Sequence, residues 1–342
     1  MPISATPDAI VRDAEWLPHR YDATLDMVQF LRVDRATRRS ATFLTDEYLP
    51  AGLPLEPLPR KAVLGMRPDE APLRVIFHSA FCCSTLLANA LDLPGIATSL
   101  KEPVILNDVV GFRHRGGTRA DAERLLDDTL ALLARPFASG EAVVIKPSNI
   151  VNGFAAAIMA LRPEATALLL HAPLPVFLGS VAKKGLWGRL WVRQLFLGLA
   201  KDGMLPFNFG QDEYFGQSDL QIAALCWLAQ QALFAGMAQR FGARVRTLDS
   251  EAVTRRSREV TVALGAHFSL ALSSTAVDGI VAGPAFTRHS KFGTVFGDAA
   301  RAAEVADAGV LHADELDKVA IWATAVADAH GIPLVLASSL LG

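Results

Sequence analysis

The sequence predicts an α/β fold: three layers (α/β/α) around a mostly parallel sheet, preceded by a small N-terminal β extension. Three observations predict it. From Arg74 onward, short apolar runs alternate with stretches of helical spacing, the pattern of strands joined by crossover helices. Of 342 residues, 51% are apolar and 20% charged, enough for a sizeable core and the opposite of a disordered chain. Residues 1–70 have a different texture, richer in turn-forming Pro and Gly near their end.

Taken in order, MVQFLRV and SATFLTDEYL read as two strand-like runs around the polar stretch Asp34–Arg39. A Pro- and Gly-rich segment follows, so residues 1–70 are expected to be a hairpin-like extension and linker, and 71–342 one large domain. Arg74–His78 (RVIFH) fits a buried parallel strand, with a loop and the helical STLLANALD after it. Ala142–Lys146 (AVVIK) is the next strand, followed by a helix over 151–161. A third strand falls on 165–170, with a helix near 176–184. A long helix covers about 218–241, a fourth strand 243–248, a helix 252–264, and a last helix 313–330.

Composition excludes several functions. Lys plus Arg number 33 and Asp plus Glu 35, a formal charge of −2. Bulk charge therefore does not drive the chain onto nucleic acid or an anionic membrane. Three cysteines, Cys82, Cys83 and Cys226, are an odd count with two adjacent, so no disulfide framework is expected and a cytoplasmic setting is. The first residues lack the charged and apolar regions of a secretory signal. No uninterrupted apolar stretch approaches the ~18 residues of a membrane span. Leu220–Met237 is the richest stretch and, interrupted by Gln221, Gln230 and Gln231, reads as a buried helix. The eight histidines show no metal-ligand spacing. No metal is expected, and oligomeric state, including a homo-oligomer, leaves no mark in the sequence.

Ligands of open parallel sheets bind beyond the carboxyl ends of the strands. The first such loop reads HSAFCCSTLL, with Ser84 and Thr85 opening the next helix. Unpaired N–H groups and hydroxyls there suit a phosphate or sulfate; plain N-capping by Ser84 is the alternative. The loop is neither a Walker A sequence nor a cysteine-phosphatase loop. A catalytic thiol at Cys82 or Cys83 would need His78 as its base.

Laid over a strand–loop–helix motif, RVIFHSAFCCSTLLANAL resembles the sulfotransferase family, in which the loop reads P-R/K-S-G-T-[TS]. Ala80, Phe81, Cys82, Cys83, Ser84 and Thr85 fall on the six loop positions. SLKEP (99–103) is similar to the family's acidic segment, and VVIKPSN (143–149) to the K-x-P segment of the tyrosylprotein sulfotransferase branch. LLLHAPLPVFLGSVAKK (168–184) resembles the 3′-phosphate segment, with His171 in place of Arg and Ser180 one step late. RTLDSEAVTRRSREVTVALGAHF resembles the strand, Y-E-D-L and helix that follow, and RHSKFG (288–293) the late basic loop. The likeness spans about 72–340. It implies a P-loop NTPase-like fold and the co-substrate PAPS (3′-phosphoadenylyl sulfate). Phe81 stands where the loop's basic residue would be, and Cys83 where its glycine would be.

Sulfuryl transfer, like phosphoryl transfer, needs positioning and charge stabilisation. Glu102 is the candidate base, with Asp108 second and a structural cap or ion pair as the alternative. Lys146, ending a buried strand, is the candidate cation that replaces the charge missing at Phe81. His78 and His171 end strands on the active edge. Ser180, Lys183, Lys184 and Lys291 are candidate anion contacts. GLWGRLWVRQLF, with Trp187 and Trp191, reads either as core or as an amphipathic flap over an apolar acceptor. The expected function is transfer of a sulfuryl group to a hydroxyl or amine of a small or lipid-like acceptor. The alternatives are a kinase-like transferase with another phosphate donor, and a non-catalytic binder of a nucleotide or other anion.

Overall fold

The computed structural model describes Thr6–Met66, Pro68–Thr287 and Asp298–Gly342, the last from Ala313 onward with side chains. Two sheets are present among these residues. The smaller has strands β1 (Trp16–Asp22), β2 (Met27–Arg32) and β3 (Leu55–Pro59) in that order, paired antiparallel. The larger has β4 (Leu73–His78), β5 (Ala97–Lys101), β6 (Ala142–Lys146), β7 (Thr166–His171) and β8 (Val245–Asp249), ordered β5-β6-β4-β7-β8. β4 and β5 both run parallel to β6. Every residue of β4, β5 and β6 is buried. Because successive side chains point to opposite faces, this requires cover on both faces, the layered α/β arrangement the sequence predicts.

The chain divides into two compact units. The first holds residues 1–76, 85–167 and 268–271, and the second 77–84, 168–267 and 272–342. Their boundaries fall inside β4 and β7 rather than in a linker.

In the first unit, the polar stretch expected to separate two strands is itself a helix, Arg35–Ser40, capped by the Asp34 side chain. The hairpin is β1–β2, and SATFLTDEYL is a loop, not a strand. The third strand lies instead in the expected linker. Pro57 and Pro59 cannot donate to a ladder, but β3 is an edge strand, where proline is tolerated. Arg135 is 5% exposed and donates to the carbonyls of Ile10, Val11, Asp13, Trp16 and Leu132. It thereby satisfies the open end of the Pro7–Arg12 helix.

β5 carries no strand signal in the sequence, because its ATSLK lacks β-branched density. Glu141 builds it. This carboxylate is 1% exposed and accepts from Gly95 N (2.6 Å), Thr98 Oγ1 (2.6 Å) and Arg35 (2.6 Å), clamping the start of β5 beside β6.

In the helical segments, 151–161 opens as a 3₁₀ turn (Asn149–Phe154) before the helix Ala155–Leu161, since Asn149, Asn152 and Gly153 are weak α-helix formers. The helix expected over 252–264 breaks at Arg256 into Ser250–Arg255 and Ser257–His267. The last helix begins earlier than expected, at Asp298, and ends at His330. In the second unit, the helix Asp219–Phe241 opens on a capping box between Ser218 and Gln221. It is the one described helix apolar and long enough to cross a membrane, and 72% of its most apolar window is buried within the protein. Leu220, Ile222, Leu225, Trp227 and Phe234 are among its buried residues, as in a core helix.

Candidate functional site

His78, Lys101, Lys146 and His171 are the last residues of β4, β5, β6 and β7. The chemistry-bearing residues therefore follow the carboxyl ends of strands, where an open parallel sheet presents its ligand positions.

The first unit brings Glu102 and Lys146 into direct contact. Their strands are in register, Lys101 opposite Lys146, and the Glu102 N–H donates to the Lys146 carbonyl at 2.7 Å. Glu102 sits in the left-handed region (φ 50°), which a non-glycine residue rarely adopts. That kink swings the chain off β5 into the following helix Ile105–His114. Lys146 is 1% exposed and its ammonium donates to Glu102 Oε1. The same ammonium lies 4.9 Å from the centre of the Phe43 ring, a cation–π contact strengthened by desolvation. Phe43 in turn packs edge-on against Tyr48, centroids 5.2 Å apart. Burial, aided by Glu47 and then Glu102, raises the Tyr48 phenol above its ordinary range.

Phe43 and Tyr48 belong to the segment read from sequence as a strand. The structure instead makes it a loop hydrogen-bonded across the end of β5, with Leu44 N donating to Lys101 O (2.7 Å) and Val104 N to Leu44 O (3.2 Å). No local pattern signals this, because the contact joins residues about sixty positions apart. Asp108, the second candidate base, is committed elsewhere. Its oxygens accept from the Arg20 guanidinium (2.9 Å twice) and from Tyr21 N (2.9 Å), fastening β1. Thr85, also in this unit, is buried.

The second unit contains the loop after β4. Ala80 (φ 73°), Phe81 (φ 53°) and Cys83 (φ 60°) are all left-handed, although none is glycine. Each costs about 1–2 kcal/mol, so the surroundings must enforce the shape. They do so through Ser79, whose N–H donates to Leu170 O (3.1 Å) while its hydroxyl accepts from Ala172 N (3.1 Å). His78 Nδ1 accepts from Ala80 N at 3.1 Å, which leaves the ring proton on Nε2 when the imidazole is neutral. Cys82 and Ser84 are buried, Cys83 is half-buried, and all three cysteines are free thiols.

Phe81 packs against Phe177 (5.7 Å) and Trp191 (5.2 Å). The Lys184 ammonium lies 5.8 Å from the Phe81 ring and 5.2 Å from that of Trp187. A cation therefore stands over the loop position that lacks one. Trp187 and Trp191 stack on each other, 6.3 Å apart and 7° from parallel. On the helix Gly185–Lys201, Leu186, Trp187 and Leu190 are 56–72% exposed. Core packing thus accounts for Trp227, 2% exposed with its indole N–H on Ala172 O (2.8 Å), but not for Trp187.

The anion contacts expected at 168–184 do not form one group. His171 precedes the helix Leu174–Lys183, while Lys183 and Lys184 close it, so ten residues of helix, about 15 Å, separate them. The Ser180 hydroxyl donates to Val176 O within that helix (2.7 Å). His171 lines a cavity with Asp249, and burial lowers its pKa despite that carboxylate. A carboxylate and a neutral imidazole do not make a phosphate clamp. Lys291 lies outside the described residues, as does the rest of RHSKFG. Among the described residues, no three His, Cys, Asp or Glu side chains gather as a metal centre would need.

No protein-family model and no curated protein matches the chain. Solved structures similar to it include the sulfotransferase domain from the curacin biosynthetic pathway, with 9% identity and TM-score 0.41, covering 72% of this chain and 98% of that one. Another is the sulfotransferase domain of the Synechococcus PCC 7002 olefin synthase, with 14% identity and TM-score 0.42, covering 72% and 97%. A third is a sulfotransferase of Mycobacterium tuberculosis H37Rv, with 13% identity and TM-score 0.41, covering 63% and 72%.

Proposed function

We propose that the chain is a transferase that moves a sulfuryl group from PAPS to a hydroxyl or amine of a small, apolar acceptor. The observation that carries this reading is the Glu102–Lys146 pair, a carboxylate and an ammonium held in contact at matched strand ends. Glu102 takes the proton from the acceptor group. Lys146 stabilises charge that develops on the leaving oxygen. In the second unit, the left-handed loop Ala80–Cys83, with His78 locked by Ala80 N, and Lys184 are a separate candidate contact for an anion. His171 and Ser180 do not suit a 3′-phosphate, so that phosphate is given no partner there.

The competing reading is a binder of anions that carries out no transfer. A buried ion pair whose members satisfy each other favours it, since such pairs also occur as plain structure. Two measurements decide. PAP, the desulfonated product, and PAPS are expected to raise the melting temperature while ATP and GTP do not. Glu102→Gln is then expected to lower sulfuryl transfer about 100-fold while the PAP-induced shift persists. No response to PAP or PAPS overturns the donor assignment. Full turnover in Glu102→Gln overturns the base.

A further inference from the structure

A cavity of about 460 Å³ lies within the second unit, lined by the start of the helix Leu174–Lys183, by β8 and by residues 334–339. Its size is that of a small-molecule site. Its walls are largely apolar, with Pro173, Leu174, Trp227 and Leu336 prominent.

Three of its polar side chains are already committed. Thr247 Oγ1 donates to Ala337 O (2.9 Å), Thr324 Oγ1 to Ala320 O (3.0 Å), and the Trp227 indole to Ala172 O (2.8 Å). Three groups keep hydrogen-bonding capacity: His171, Asp249 and the Ser339 hydroxyl, which accepts from Leu341 N (3.2 Å) and still has its proton to donate. His171 is 8% exposed and its Nδ1 has no hydrogen-bond partner, an arrangement that costs free energy unless something occupies the site. Asp249 uses Oδ1 to cap the next helix through Glu251 N (2.8 Å), which leaves Oδ2 for a ligand.

Charge selects the ligand. Among the described residues that line the cavity, Asp249 carries the only formal charge, and no lysine or arginine offsets it. Asp249 is exposed to solvent, and an anion entering beside it would be disfavoured by its charge. A protonated amine would meet its counter-ion there. We propose that this cavity binds a compact apolar amine as its ammonium form, with the charge on Asp249, His171 as a second polar contact, and the hydrocarbon or aromatic body against Trp227, Pro173 and Leu174. The proposal is independent of the transferase reading, because it uses neither Glu102, Lys146 nor the loop after β4.

Tryptamine, tryptophol and indole-3-acetate share one ring and differ in charge, which makes them suitable probes. In titration calorimetry with the full chain near neutral pH, tryptamine is expected to bind at least about tenfold more tightly than tryptophol, and indole-3-acetate most weakly. Asp249→Asn keeps the helix cap, since Asn caps as well as Asp. It should erase the preference for tryptamine and leave tryptophol affinity unchanged. Thr324→Trp, at an exposed position of the lining, should block all three without entering the core. Equal binding of the three, tighter binding of the acetate, a preference that survives Asp249→Asn, or no binding at millimolar ligand would each overturn the proposal.

Discussion

Two neighbouring lysines behave oppositely. Lys146 keeps its charge company with Glu102 and the Phe43 ring. Lys101, 2% exposed, donates to the Arg39 carbonyl (2.8 Å), and burial lowers its pKa to about 8. An unfolded lysine titrates near 10.4. Below pH 8 both states hold the proton and the burial penalty is in full force. Between pH 8 and about 10.4 the folded state has released the proton and the unfolded state has not, so stability rises with pH across that window. The rise is on the order of 2 kcal/mol. Denaturant melts at pH 7.5 and 10 should show it in the wild type and lose it in Lys101→Met. An unchanged difference would show that Lys101 reaches solvent. The sequence made Lys146 legible, because a lysine ending an apolar strand asks for an anion. It could not show Phe43 or Tyr48, which reach the pair only through the fold.

Elements differ in how much of themselves they announce. The helix Asp219–Phe241 is signalled at its start by Ser218 and Gln221, and both reciprocal bonds form, Gln221 N to Ser218 Oγ (3.3 Å) and Ser218 N to Gln221 Oε1 (2.9 Å). Ser218→Ala is expected to cost about 1 kcal/mol, read from chemical denaturation, with Ser218→Asp close to wild type. β4, β6 and β7 were legible because they are buried runs of apolar and β-branched residues. β5 was not, since its order comes from Glu141, forty residues away, and not from its own composition. β3 was hidden by prolines that only an edge strand allows. The loop after β4 is marked by the end of its strand, yet its three left-handed residues carry no glycine to advertise them.

At the scale of the whole molecule, the two units share strands and are not consecutive stretches of chain. Composition therefore marks no boundary between them, and the α/β class could be read while the division could not. Long-range closure is equally silent in sequence. Thr247 in β8 pairs with the segment around Ser339, with Thr247 N on Ser338 O (3.0 Å) and Leu340 N on Thr247 O (2.8 Å). Leu340→Pro removes that donor. It should lower the melting temperature by about 2–4 °C for each kcal/mol lost, with a loss of about 1–3 kcal/mol. An unchanged melting temperature would show that this pairing adds nothing to stability.

The backbone of the turn that begins at His78 has one more implication. A conformation that glycine would adopt freely is imposed on alanine, phenylalanine and cysteine, so the turn is sprung rather than slack. Designers seeking a hardier protein would find a glycine exchange at Ala80 an inviting relief of tension. On the proposed anion-binding role, they would be loosening the part whose stiffness spares the anion from moulding its own berth.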